Sequence, residues 1–186
     1  MNLKKNIILC SLAIMSLVAY AQESPKSEEL IPNNSIFITA GAVYDNGFET
    51  TIGTEHFFNN NRIASMYFSA GYLSTREKWD NEAVECKKFT AEIGGRCYIP
   101  AIKNKLYPYV GLGITGGIQG LRQSSYIIQK DVIDENSDPY LFGGACTIGL
   151  EYLVSHNVAI EIHGRAKYYL GDRYNFVIGG GLKFFF

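Results

Sequence analysis

Chemistry in this chain would have to come from its three histidines, its four cysteines, or the carboxylates that stand close to basic residues. His163 is the most suggestive of these. Glu161, His163, Arg165 and Lys167 occupy every second position, a spacing that sets all four on one face of a β-strand. Lipid A deacylases carry a His and a Ser two residues apart on a strand, but here the sequence is His163-Gly164-Arg165 and no Ser follows. A histidine satisfied by Glu161 and Arg165 is therefore the better reading. Asp131, Asp134, Glu135 and Asp138 could suggest calcium, yet they lack the spacing and central Gly of a calcium loop, so they read as solvated. Cys86, Cys97 and Cys146 make no CxxC pattern and stand beside no His at ligand spacing. They read as small apolar residues, with a Cys86–Cys97 disulfide or a reactive thiol left open. No phosphate loop, GxGxxG or basic patch with interleaved aromatics is present. No catalytic, cofactor-binding or metal residue is assigned, and neither a cofactor nor a small-molecule substrate is expected.

The remaining question is which elements hold the charged residues. Composition excludes several classes: a formal net charge of −1 with 47% hydrophobic residues fits neither a basic nucleic-acid binder nor a disordered chain. Residues 1–21 combine Lys4 and Lys5, the apolar run Ile7–Val18 with Cys10 inside it, and Ala19-Tyr20-Ala21. These are the three parts of a cleavable secretory signal peptide. An N-terminal membrane anchor is the alternative, disfavoured because the run is short for a bilayer. Removing Lys4 and Lys5 with the signal turns the charge from −1 to −3. Residues 22–34 read as a flexible lead-in on the periplasmic side, and residues 35–186 as one domain.

Across that domain hydrophobicity alternates with period two almost throughout. Eight strands are predicted: Ser35–Tyr44, Phe48–Phe57, Ile63–Thr75, Lys87–Ile99, Leu106–Gln119, Pro139–Val154, Val158–Leu170 and Asn175–Phe186. Most are near the ten residues that a tilted strand needs to cross a bilayer, longer than the five or six usual in soluble sheets. Links after the second, fourth and sixth strands are short. Those after the third and fifth, Arg76–Cys86 and Gly120–Asp138, are expected to be long polar loops. Short turns on one rim and longer loops on the other are the habit of outer-membrane barrels, with both termini periplasmic when the strand count is even.

The fold class expected is thus all-β: an eight-stranded antiparallel up-and-down transmembrane β-barrel with a polar, side-chain-filled lumen. The alternative is a soluble barrel of lipocalin type, which would turn its apolar face inward. Segregation of charge to one face favours the membrane, since a Lys or Arg facing lipid at the midplane costs roughly 2–4 kcal/mol. Glu92, Arg96, Glu151, Glu161, His163, Arg165, Lys167 and Lys183 are then expected to form a structural polar network in the lumen. Tyr44, Phe57, Phe58, Tyr67, Tyr72, Tyr98, Tyr107, Tyr140, Tyr152, Tyr168 and Phe186 are expected as interfacial girdles, and the Gly-rich strands as room for large lumen neighbours. Outer-membrane lipid is the expected surrounding and partner.

Several segments also resemble the conjugal transfer protein TraO family of Bacteroidetes conjugative elements. They are Thr90-Ala91-Glu92-Ile93-Gly94-Gly95, Asp134-Glu135-Asn136-Ser137 with Tyr140-Leu141-Phe142-Gly143-Gly144, Leu150-Glu151-Tyr152-Leu153-Val154-Ser155, His163-Gly164-Arg165-Ala166-Lys167 and Gly179-Gly180-Gly181-Leu182-Lys183-Phe184. The resemblance covers about the last hundred residues. It implies an outer-membrane component of a conjugative, type IV secretion-like apparatus with other conjugation proteins as partners, and it offers no catalytic residues. Direct nucleic-acid binding is not expected. A stand-alone surface barrel of OmpA or OmpX type is the alternative.

Overall fold

In a computed structural model the described residues are 32–44, 47–58, 62–79, 82–99, 105–122, 140–170 and 173–186. The predicted signal peptide, most of the lead-in and the acidic residues between Asp131 and Asp138 lie outside them. Eight strands follow one another in order: β1 (Asn34–Val43), β2 (Gly47–Phe57), β3 (Ala64–Trp79), β4 (Glu82–Tyr98), β5 (Leu106–Arg122), β6 (Tyr140–Ser155), β7 (Val158–Tyr169) and β8 (Arg173–Phe185). Each pairs antiparallel with its neighbours, and β1 pairs with β8 from Ser35↔Phe185 to Val43↔Val177, so the sheet closes into a barrel without free edges at its seam. One irregularity breaks the ladders, between Leu153 and Ser155 on β6.

Period two decides which way every side chain faces. On β7, Ala159, Glu161, His163, Arg165, Lys167 and Tyr169 are buried, while Ile160, Ile162, Ala166 and Tyr168 are exposed. The pattern recurs around the barrel, so the exposed wall carries Ile38, Ile52, Phe68, Phe89, Leu112, Ile148, Ile162 and Ile178 at mid-height. Charges inside and aliphatic residues outside reverse the lipocalin arrangement. That wall is compatible with hydrocarbon and not with water, which excludes the soluble barrel. The shortest strands, β1, β2 and β7, have 10, 11 and 12 residues, enough to cross a bilayer at a tilt.

Glycines make the narrow lumen possible. A Cβ at Gly53 would lie 2.4 Å from Phe37 Cζ, and one at Gly149 would lie 2.6 Å from the Tyr109 ring. Both glycines face inward opposite an aromatic ring, so any side chain there would compete with that ring for the same volume.

Two expectations are corrected. Arg76–Cys86 is not a loop: β3 and β4 continue as a paired hairpin through Arg76↔Glu85 to Trp79↔Glu82, well past the level at which β2 begins at Gly47. Beyond Thr75 the sequence runs Arg76-Glu77-Lys78, with no alternation of polar and apolar residues. Hydrophobic periodicity therefore vanishes while the backbone ladder persists. β5 likewise runs on to Arg122, beyond the predicted Gln119. The second correction concerns the girdles. Tyr44, Phe58, Tyr140, Tyr152, Tyr168 and Phe186 are on the outside, but Phe57, Tyr67, Tyr98 and Tyr107 are buried in the lumen. They share strand parity with Glu55, Ser65, Arg96 and Tyr109, and parity overrides proximity to a strand end.

Candidate functional site: the charged lumen

The eight residues expected in the lumen are all buried there, and the structure adds Glu49, Glu55, Arg62 and Lys88 to them. Each comes from a strand position whose neighbours face lipid, except Arg62, which lies in the turn between β2 and β3. The charges gather in two groups along the barrel axis.

The first group fills the half nearest the rim where β1 begins and β8 ends. Glu55 is its hub: Lys183 Nζ approaches one oxygen at 2.7 Å and Arg96 Nη1 at 3.1 Å, while Tyr98 OH donates to the other at 2.7 Å and Ser65 also donates to it. Lys183 in turn donates to Tyr98 OH at 2.9 Å and ion-pairs with Glu151. Glu161 receives Arg96 at 3.3 Å and lies 3.3 Å from His163 Nδ1. Every carboxylate here therefore faces at least two partners. Burying an ion costs several kcal/mol unless its charge is matched, and sharing each carboxylate between cations supplies the matching charge.

Arg62 closes this end. Its φ is 53°, the left-handed region that few residues other than Gly adopt, and this turns the side chain under the barrel instead of out to water. The guanidinium ion-pairs with Glu151 and lies over Phe185 at 4.3 Å, Phe57 at 4.6 Å and Tyr107 at 4.9 Å. Phe57, Tyr98, Tyr107, Tyr109, Leu153, Ala159 and Phe185 form the surrounding apolar layer. Cation and rings together cap the lumen, with Arg62 2% exposed.

The second group is sparser. Glu49 meets Arg165 at 3.2 Å and Lys167 at 3.1 Å and accepts from Thr51; Glu92 accepts from Tyr67 OH and lies 3.8 Å from Lys167. Lys88 Nζ lies 5.8 Å from the centre of the Tyr169 ring. Val43, Leu73 and Val177 make a thin apolar layer beyond these charges. Between the two groups, Arg96 is packed among Phe37, Tyr67 and Tyr109 at 4.9–5.0 Å. The lumen is thus layered, with rings, ions and aliphatic side chains stacked from one rim to the other.

This arrangement can neutralise charge, brace opposite walls and seal the interior. His163, 2% exposed at its side chain, is held against Glu161 within it. His56 lies outside the barrel and His156 in the turn between β6 and β7. No group of three His, Cys, Asp or Glu side chains among the described residues could hold a metal ion. Cys86, Cys97 and Cys146 form no disulfide: Cys86 faces the lumen and Cys97 the outside, toward opposite ends of one strand. Glu49 and Glu55 were within reach of the sequence, because Glu49, Thr51, Gly53, Glu55 and Phe57 alternate on one strand face. Arg62 carries no such signal, since an arginine after three asparagines reads as an ordinary solvated turn residue.

A family model described as "Conjugative transposon protein TraO" matches residues 24–186. No curated protein matches the chain in sequence. Among solved structures, the barrel is similar to Neisserial surface protein A, with TM-score 0.64 and 12% identity over 83% of this chain and 97% of that one. It is also similar to the outer membrane protein OprG of Pseudomonas aeruginosa, with TM-score 0.51 and 12% identity over 87% of this chain and 100% of that one. At these identities the likeness concerns the fold alone.

Proposed function

The chain belongs to the conjugative transposon protein TraO family, and from that premise we propose that it is a non-enzymatic β-barrel of the bacterial outer membrane serving a conjugative, type IV secretion-like DNA-transfer apparatus. The observation that carries this reading is the pairing of a family match over residues 24–186 with a barrel whose wall is apolar and whose lumen is filled. Side chains occupy the space that an eight-stranded barrel encloses. DNA therefore does not travel through this lumen, and the barrel acts as an anchored part of the apparatus, touching other conjugation proteins through its rims. The lumen network has a structural role: it ties the walls together and keeps the barrel closed. The rim bearing both termini, together with the short turns, faces the periplasm, and the leader at residues 1–21 directs export and is removed.

The test is deletion of the gene from a conjugative donor, with mating frequency as the readout and the intact gene restored in trans as control. A loss of transfer that complementation repairs supports the reading; unchanged transfer overturns it. The fold likeness to a Neisserial surface protein favours one competitor, a stand-alone surface barrel, and unchanged mating with altered surface adhesion would select it.

A further inference from the structure

The outer wall is apolar almost throughout, and a polar pair interrupts it where the strands end. Asn34 opens β1 and His56 stands directly opposite it on β2. Both side chains are exposed on the outer wall, and His56 Nδ1 lies 2.8 Å from Asn34 Oδ1. An amide oxygen only accepts, so the imidazole proton sits on Nδ1 and donates to it. The Phe58 ring stands edge-on to the imidazole, with centroids 6.1 Å apart, and braces its orientation. Two functions of opposite character remain for another partner: the amide NH₂ of Asn34, which donates, and Nε2 of the neutral His56 ring, which accepts.

Beside this pair the wall is concave. A groove of about 230 Å³ is lined by Thr54, Met66, Phe68, Ile93 and Phe186, with Asn34 and His56 at its polar side. Thr54 is paired with Phe68, and Met66 with Gly95, so small residues alternate with large ones across the wall and leave the hollow between them. The volume is below the roughly 300–1,000 Å³ of pockets that enclose a compact small molecule. It suits one hydrocarbon chain. A groove that opens on hydrocarbon is supplied from hydrocarbon, and the polar pair lies at the strand ends, where lipid headgroups meet the barrel.

We propose that this groove is a binding site for a single glycerophospholipid of the phosphatidylethanolamine class. One acyl chain lies along Thr54, Met66, Phe68 and Ile93; the phosphate accepts from the Asn34 amide, and the headgroup ammonium donates to His56 Nε2. Hydrogen-bond type and strength decide between headgroups: choline has no N–H to donate, and a glycerol headgroup donates only through neutral hydroxyls, more weakly than an ammonium does. The site rests on the membrane placement of the barrel and not on its part in DNA transfer.

The refolded full-length barrel, loaded with phosphatidylethanolamine, phosphatidylcholine or phosphatidylglycerol of identical chains, tests this by native mass spectrometry of retained lipid. Retention of the ethanolamine lipid is expected to exceed that of the choline lipid by about tenfold, the worth of one to two hydrogen bonds. His56→Phe is expected to erase that preference while leaving chain retention, Asn34→Ala to lower retention of all three lipids because each carries the phosphate, and Thr54→Phe to fill the groove and remove bound lipid of every headgroup. A heat-modifiable band on gels shows that each variant has folded. Equal retention of the three lipids by the wild type, or best retention of the glycerol lipid, overturns the proposal without recourse to any variant. A preference that survives His56→Phe does the same. Failure of the barrel to enter bilayers at all would instead strike the membrane placement.

Discussion

The two halves of the lumen solve the same problem differently. Toward the terminal rim, Glu55, Glu151 and Glu161 share Arg62, Arg96, Lys183 and His163 within an aromatic layer, and a turn residue folds in to close the end. Toward the distal rim, Glu49 and Glu92 are served by Arg165 and Lys167, with only the thin layer of Val43, Leu73 and Val177 beyond. The difference is one of redundancy. In the terminal half Arg96 and Lys183 each meet more than one carboxylate, so the loss of one group disturbs contacts across several strands, whereas in the distal half fewer groups are joined. The terminal half is therefore the stability centre of the barrel, and the distal half, with the projecting β3–β4 hairpin, is the part that tolerates change.

The sharpest way to break this contrast is to remove one carboxylate from each half. Glu55→Ala leaves the terminal group one carboxylate short: Arg96 keeps Glu161 and Lys183 keeps Glu151, but one positive charge goes unmatched and the Tyr98 and Ser65 hydroxyls lose their acceptor. Uncompensated buried charge costs about 3–5 kcal/mol, so urea unfolding in micelles, followed by Trp79 fluorescence and circular dichroism, is expected to shift by that amount. Glu49→Ala, which takes the carboxylate from Arg165 and leaves Lys167 with Glu92, disturbs fewer groups and is expected to fall at or below the bottom of that range. Equal losses at the two sites would erase the distinction between the halves.

Next in size is the cap. Arg62→Ala removes the ion pair to Glu151 and the stacking on Phe57, Tyr107 and Phe185, for which a loss of about 2–4 kcal/mol is expected. Arg62→Gly relaxes the left-handed backbone yet loses the same contacts, so it is expected to recover at most about 1 kcal/mol relative to Arg62→Ala. If both variants unfold like the wild type, the terminal end is closed by the rings alone.

The legibility of the sequence follows the same division. Where lipid lies on one side and packed charge on the other, each residue has a single tolerable face, and all eight strands could be read to within a few residues, including the inward set Glu161, His163, Arg165 and Lys167. The signal fails where that two-sided constraint ends. Phe57, Tyr98 and Tyr107 were assigned to the outside because aromatic residues suit both a girdle and a lumen layer; strand parity distinguishes the two, and residue type does not. Arg62 was illegible because its burial depends on a turn conformation and on rings from β2, β5 and β8 that no local pattern joins. The hairpin reads as a loop because its sequence lacks the two-residue alternation that marks the other strands.

That hairpin yields the smallest expected effect on stability and the largest separation between stability and function. Replacing residues 76–85 with a two-residue turn joins β3 to β4 just beyond Thr75↔Cys86, a pair that lies one step past the last β2–β3 pair, Phe48↔Ser74. The closed part of the barrel keeps both charge groups and its ladders, apart from the Glu85↔Arg122 pair at the end of β4–β5. Substitutions away from packed features usually change stability by no more than about 0.5 kcal/mol, and the same bound is expected for this excision in urea unfolding. Because the ribbon projects past the rim, it is also the described surface best placed to reach a protein outside the membrane. Under the conjugation reading, the shortened barrel is expected to be present in the outer membrane at wild-type level while mating frequency falls. A fall accompanied by loss of the protein from the membrane fraction would mean that the distal half is not the tolerant part of the molecule, and that the contrast between the halves is wrong at its distal end.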